Sequence, residues 1–348
     1  MNRLIKQGSR SDEVLDVQTR LRALGYSVED EPGWFGESTR ASVRAFQQRR
    51  SMLVDGIVGP QTWSQLVEAS WRLGDRTLYL KNPYMRGDDI STLQSRLNAL
   101  GFDAGREDGI FGPLAYEAIR AFQREYGIPE DGMFGQHTFA ALSGLRVDRP
   151  GTAAELREEL RHRSDRALAG ALVMIDPGHG AGDPGELGSS GLTETEVCWR
   201  LATLLAERLV AAGARVRLTR TEPENPDNSE RATRANDIGA DLFVSLHLNA
   251  NQEPTAEGAS AYHFGTSRAG KAIAEAIQDQ LVKLGARDCR VHARSFALLR
   301  ETRMPAVMVE PAFITNPDES KRLENHDHLV GVSDAIVAGI REFYNQPH

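Results

Sequence analysis

Four side chains able to bind a metal or move a proton lie within apolar runs or where such runs end or begin. His179 lies in Asp176-Pro-Gly-His179-Gly, directly after an apolar run that starts at Ala171. His247 lies in Ser245-Leu-His247-Leu-Asn249, within a second run. Glu310 closes a third, Ala306-Val-Met-Val-Glu310, and Glu194 opens a long amphipathic stretch. A catalytic zinc takes three protein ligands and leaves one position for water, and two histidines with a glutamate are a common set. The bound water becomes acidic near neutrality, and a further carboxylate can take its proton. A histidine in a glycine-rich loop is poorly explained as core, so His179 reads as a ligand. His247 alone would read as a satisfied core histidine; the company of His179 and Glu310 makes it a ligand candidate. A carboxylate ending an apolar strand is costly without a partner, which marks Glu310 as functional. Glu194 has a competing explanation as an acid favoured by the helix dipole, and Glu196 competes with it. Asp183 is a candidate partner for a ligand histidine, and glycines 178, 180, 182 and 185 allow a tight bend around a metal. His263 and His292 are set aside, since three protein groups suffice.

The surrounding pattern predicts elements that bring these groups to one rim. Strands are expected over Ala171–Ile175, Arg215–Thr219, Leu242–Leu248, Ala259–His263 and Ala306–Val309. Helices are expected over Glu194–Ala211, from Arg231 to Ile238 with Ser229 as a cap, near Arg268–Leu284 and near Asp327–Tyr344. Alternating strands and helices imply a mostly parallel sheet covered on both faces. In such a sheet ligands bind beyond the carboxyl ends of the strands.

The front of the chain repeats itself. Gln18, Leu21, Leu24 and Gly25 recur 76 residues later as Gln94, Leu97, Leu100 and Gly101. Gly33, Phe35 and Gly36 recur at the same offset as Gly109, Phe111 and Gly112; Ala45, Phe46 and Gln47 recur as Ala121, Phe122 and Gln123. So many matches without a gap mean duplication. Each copy reads as three short helices with its shared apolar residues as core. The second helices fall near Ser38–Arg49 and Leu114–Tyr126, and glycine turns reverse the chain between helices. A linker near Arg146–Gly151 and a charged helix over Ala153–Arg163 follow. The fold class is therefore multidomain: two small three-helix modules followed by an α/β domain with a mostly parallel sheet covered by helices. The boundaries are 1–75 and 76–145 for the repeats, 146–169 for a helical linker, and 170–348 for the α/β domain.

Bulk properties narrow the function classes. The 348 residues carry a net charge of −8, which argues against nonspecific nucleic-acid binding. Cys198 and Cys289 are the two cysteines; they form no disulfide framework, and Cys198 in an apolar helix reads as core. The start, MNRLIKQGSRSDEV, lacks the apolar core of a secretory signal, and no stretch is long and apolar enough to span a membrane. That pattern predicts a cytoplasmic protein, unless it is exported or released by another route.

Two resemblances follow from these motifs. The L-x-x-L-G-[YF] helix ends, D-G-x-[FV]-G turns and A-F-Q helices resemble the peptidoglycan-binding type 1 family over about Gly8–Leu66 and Gly87–Leu142. From about Ala171 onward, the chain resembles the amidase 3 family, zinc N-acetylmuramoyl-L-alanine amidases. The matching motifs are IDPGHG-x-x-D-P-G, G-L-x-E, L-x-x-x-G-A-x-V-x-L-T-R, E-R-x-x-x-A-N, S-L-H-x-N and P-A-V-M-V-E. The resemblance implies that His179, Glu194 and His247 hold zinc and that Glu310 is the catalytic residue. It also selects Glu194 over Glu196. Two departures stand out: Ala181 where the family usually has glycine, and Glu310-Pro-Ala312-Phe313 where it usually has E-x-G-F. They put turnover rate in question more than metal binding. The implied activity is cleavage of the amide between N-acetylmuramic acid and L-alanine, in peptidoglycan, a muropeptide or a lipid-linked precursor. The domain order also resembles a group of actinobacterial cytoplasmic regulators of peptidoglycan precursor synthesis. An alternative is therefore a regulator that binds precursor or a synthesis enzyme, with slow or no catalysis.

Overall fold

The computed structural model describes residues 4–145, 167–188, 191–265 and 267–345. The expected linker and charged helix lie outside the described residues, apart from 167–169. The described residues divide into two compact units, one carrying both repeats and one carrying the α/β fold.

Each repeat is three helices, as its periodicity predicts: α1 Asp12–Ala23, α2 Glu37–Arg49 and α3 Pro60–Ala69, then α4 Asp88–Ala99, α5 Pro113–Glu125 and α6 Gln136–Ser143. The apolar residues at helical spacing are the cores. Val14, Val17, Leu21, Val43 and Phe46 pack around Phe35 in the first repeat. Ile90, Leu93, Leu97, Ile119 and Phe122 pack around Phe111 in the second. Gly25 and Gly101 adopt φ of +87° and +90° one residue past the C-caps, where a Cβ would be strained.

The repeated glutamines clamp the glycine turns. The Gln18 amide donates to the Trp34 carbonyl at 2.9 Å while its Oε1 accepts from Gly33 N–H at 2.9 Å. Gln94 does the same for Ile110 and Gly109. Gln47 holds Ile57 and Gly56, and Gln123 holds Met133 and Gly132. A buried amide that satisfies both turn strands explains why the glutamine recurs with its glycine.

The second unit contains β1 Leu172–Pro177, α7 Glu194–Ala211, β2 Arg215–Leu218, α8 Asn228–Asp237, β3 Leu242–Leu246 and β4 Ala259–His263. It continues with α9 Arg268–Lys283, β5 Asp288–Ala293, α10 Ala297–Glu301, β6 Ala306–Glu310, α11 Pro317–Glu324 and α12 His326–Asn345. The sheet order is β2-β1-β3-β6-β4-β5. Its pairings are parallel except that β4 runs antiparallel to β6. Leu201, Leu205, Ile273, Ile277, Ile336 and Ile340, from α7, α9 and α12, cover one face with Val173, Val244 and Val307. Ala235, Leu298 and Leu299, from α8 and α10, cover the other with Met174, Phe243 and Met308. The expected two-faced, mostly parallel sheet is thus present.

Several local expectations need correction. The cap of α8 is Asp227, whose side chain accepts from Glu230 N–H, and Ser229 lies inside the helix. β3 stops at Leu246, so His247 stands just beyond it. The edge strand β5 was not expected: its sequence DCRVHA mixes polar and apolar residues, one face remains exposed, and Arg290 sits at φ +72° beside a break in register. The short helices α10 and α11 also escape periodicity. α11 starts from local chemistry, with Asn316 capping and Pro317 at the first position.

Candidate functional site

The three parallel strands β1, β3 and β6 end at the same rim. β1 runs into a loop in which His179 takes φ +58°, a left-handed conformation rare for a residue with a side chain. Its Nδ1 lies 2.9 Å from Asp183 Oδ2, and its Nε2 lies 3.0 Å from Glu194 Oε2. Glu194 is the first residue of α7, behind the Thr193 cap. Its carboxylate is buried and accepts from Glu186 N–H at 3.0 Å and Leu248 N–H at 2.9 Å. His247 Nδ1 lies 3.0 Å from the other oxygen of Glu194. The two imidazole rings are 5.0 Å apart between centroids.

The glycines of the first loop are required by close approach. A Cβ on Gly178 would stand 2.6 Å from the His247 ring, and one on Gly185 would stand 2.7 Å from Glu194 Oε2. Gly185 N–H also donates to Asp183 at 3.1 Å, so Asp183 braces the loop as well as His179.

Glu310, at the end of β6, is half-buried. It accepts from the Tyr262 hydroxyl at 2.9 Å, and Tyr262 stands on the neighbouring strand β4. Burial raises the Glu310 carboxyl above its ordinary range, against the pull of His247 and the Tyr262 hydrogen bond; the Glu194 charge adds to the rise. Tyr262 is a participant the sequence reading did not single out. The available signal was the alternation in Ala259-Ser-Ala-Tyr-His263, which places Ser260 and Tyr262 on the same face of a mostly buried strand.

Among the described residues, His179, Glu194 and His247 form the group whose donor atoms could hold a metal, all within 4.8 Å of one another. Glu196 is exposed and takes no part. His263 Nδ1 contacts the Phe264 carbonyl and His292 Nε2 that of Cys289; neither joins the group. Cys198 is buried core, as expected. Burial works against a charge on His179, but Glu194 and Asp183 outweigh it and push its pKa up to about 9. Glu194, despite burial, is held well below the ordinary carboxylate range by hydrogen bonds and charge from both histidines. The site therefore draws positive charge to one point.

A zinc ion fits this donor set. The set offers two imidazole nitrogens and a carboxylate oxygen within 4.8 Å of one another, a donor chemistry common for zinc, whose ligand atoms stand roughly 3.3 Å apart around a tetrahedral ion.

Comparison with known proteins places the chain. Over 98% of its length it is 39% identical to "N-acetylmuramoyl-L-alanine amidase CwlM" of Mycobacterium tuberculosis, covering 89% of that protein. The chain belongs to the N-acetylmuramoyl-L-alanine amidase family. The family model of that description matches residues 173–342 of this amidase, and a peptidoglycan binding domain model matches residues 10–66 and 86–142. The amidase is also 34% identical to "N-acetylmuramoyl-L-alanine amidase LytC" of Bacillus subtilis, over 56% of its own length and 39% of that protein. A crystal structure of an N-acetylmuramoyl-L-alanine amidase from Clostridium difficile 630 superposes with a TM-score of 0.50 at 29% identity. It covers 51% of this chain and 99% of that one.

Proposed function

We propose that the second unit hydrolyses the amide between the lactyl group of N-acetylmuramic acid and L-alanine of the stem peptide, with zinc held by His179, Glu194 and His247. The observation that carries this reading is the convergence of two histidines and a buried carboxylate on one point. A base with a raised pKa stands at the end of the adjacent strand. A bound zinc would supply a Lewis acid for the amide carbonyl and lower the pKa of a water molecule. Asp183 orients the His179 ring through Nδ1 and leaves Nε2 facing the Glu194 carboxylate and the metal position. Glu310 takes the proton from the attacking water and delivers it to the departing amine. A carboxyl with its pKa raised from the ordinary range is better matched to both halves of that transfer than an unperturbed one. Tyr262 holds the carboxylate in place. The repeats bind peptidoglycan and bring it to the site. The boundaries at residues 75, 145 and 169 belong to the same reading.

Incubation of the full chain with muropeptides, with and without chelator, tests the proposal. Cleavage that chelator abolishes and zinc restores is expected. Glu310→Gln should keep zinc and lose activity by roughly 10²–10⁴-fold, the usual contribution of a general base. A zinc-loaded wild type that cleaves no muramoyl-peptide amide would overturn hydrolysis and favour a binding role toward precursor or a synthesis enzyme.

A further inference from the structure

The loop that carries His179 is held from behind by two buried arginines. Every donor of Arg231 on α8 is used. Its Nε donates to the Pro226 carbonyl at 2.8 Å. Its Nη1 donates to Asp176 Oδ1 at 2.9 Å and to the Pro177 carbonyl at 2.8 Å. Its Nη2 donates to the carbonyl of His179 at 2.5 Å and to Asn225 Oδ1 at 3.2 Å. Arg220, after β2, donates to the carbonyls of Pro177 at 2.9 Å and Gly178 at 3.1 Å. Three successive carbonyls, 177 to 179, are thus fixed by two guanidinium groups just where His179 adopts its left-handed φ.

Asp176 ties this clamp to the other histidine. Its carboxylate is fully buried and accepts from Arg231, from Thr219 Oγ1 at 2.5 Å and from Ser245 Oγ at 2.7 Å. Ser245 stands on β3 two residues before His247. One carboxylate therefore joins the strand that leads into the first histidine to the strand that leads into the second.

We propose that Arg231, seated on Asp176, is a positioning residue that holds the His179 loop in its metal-binding conformation and in register with His247. It touches neither the proposed metal position nor the reacting atoms. A left-handed, non-glycine residue is maintained only where its surroundings over-determine it, and a rigid fork of five donors suits that task. Removing groups that orient metal ligands lowers metal affinity by about 10–100-fold.

This inference rests on the metal reading of His179, Glu194 and His247. The test uses the full chain. Arg231→Met has the stem without the fork; Arg231→Lys keeps the charge for Asp176 but has three donors on a single nitrogen against five acceptors spread around the fork. Leu209→Ala is the control. It opens the core in the last turn of α7, about 22 Å along the helix from Glu194 at 1.5 Å per residue. Zinc affinity is measured by chelator competition at a temperature where each metal-free variant remains folded by circular dichroism. The visible spectrum of the cobalt-substituted protein is recorded alongside. The expected result is a zinc affinity lowered about 10–100-fold in Arg231→Met, a smaller loss in Arg231→Lys, and a changed cobalt spectrum in both. Leu209→Ala should lower the melting temperature with affinity and spectrum unchanged. Should Arg231→Met not fold, the same two readouts on Arg231→Lys decide. Arginine variants with wild-type affinity and spectrum, differing only in melting temperature, would reduce the clamp to a structural contact and overturn the proposal. Absence of zinc binding in the wild type would instead overturn the metal reading, and the clamp with it.

Discussion

At the scale of single residues, the site is a balance of charge. His179 sits between two carboxylates, and its pKa is about 9 against an ordinary 6.5. In the metal-free protein its contribution to stability is fully present below pH 6.5 and is lost as pH rises through about 9, because the unfolded chain gives up that proton first. The melting temperature of metal-free protein should therefore fall across that window, and Asp183→Asn should flatten the fall; a flat wild-type curve would contradict the charge balance. Zinc needs the same nitrogen deprotonated. Its affinity should rise with pH over the same interval, with proton release measurable by titration calorimetry in buffers of different ionisation heat. Tyr262 makes a second testable case. Its hydroxyl stabilises the ionised form of Glu310 while burial opposes it. Tyr262→Phe removes the stabilising bond, so the Glu310 pKa rises further. The acid limb of kcat/KM should move to higher pH, and an unmoved limb would show that Glu310 is not the group titrating there.

At the scale of elements, the recurring device is a helix glutamine that closes a glycine turn. Gln123 is buried and accepts from Gly132 N–H at 2.9 Å while donating to Asp131 and Met133. Leucine at this position fits the helix but leaves those turn groups without their partner. The cost of a buried, unsatisfied polar group is about 1–3 kcal/mol. Gln123→Leu and Gln47→Leu should each lower stability of the helical unit by about that amount in urea denaturation. An unchanged midpoint would mean the turns close without the clamp. In the other unit the equivalent economy lies in strand ends: β1, β3 and β6 stop at one rim, and each stop presents a functional group. The central strands were legible because they are continuous apolar runs. The edge strand β5 was not, because half of it faces solvent and its pairing with β4 is broken at a bulge.

At the scale of the whole molecule, the helical unit and the α/β unit have separate cores. Among the described residues, no metal-binding group lies in the repeats. A fragment covering residues 1–145 should fold by itself, unfold cooperatively and ignore chelator. In the full chain the α/β transition should move with zinc while the helical transition stays in place. A fragment without helical circular dichroism would show that the repeats depend on the second unit.

Much of this architecture was legible in the sequence because its signals are local. The 76-residue duplication, the helix periods, the apolar central strands and the glycine-rich histidine loop each arise within a few neighbours along the chain. His179, His247 and Glu310 could be nominated from residue type and place near strand ends, and Glu194 from its place at a helix start. The meeting of His179, Glu194 and His247, with Glu310 at the end of the neighbouring strand, depended on the parallel register of β1, β3 and β6, which no local pattern contains. The choice between Glu194 and Glu196 could not be read from composition or helix dipole; burial beside both histidines separates them. Tyr262 and Arg231 make contacts that belong to the tertiary structure. One meets its partner across an antiparallel strand pair and the other reaches 52 residues back along the chain to His179, and contacts of that range are set by packing.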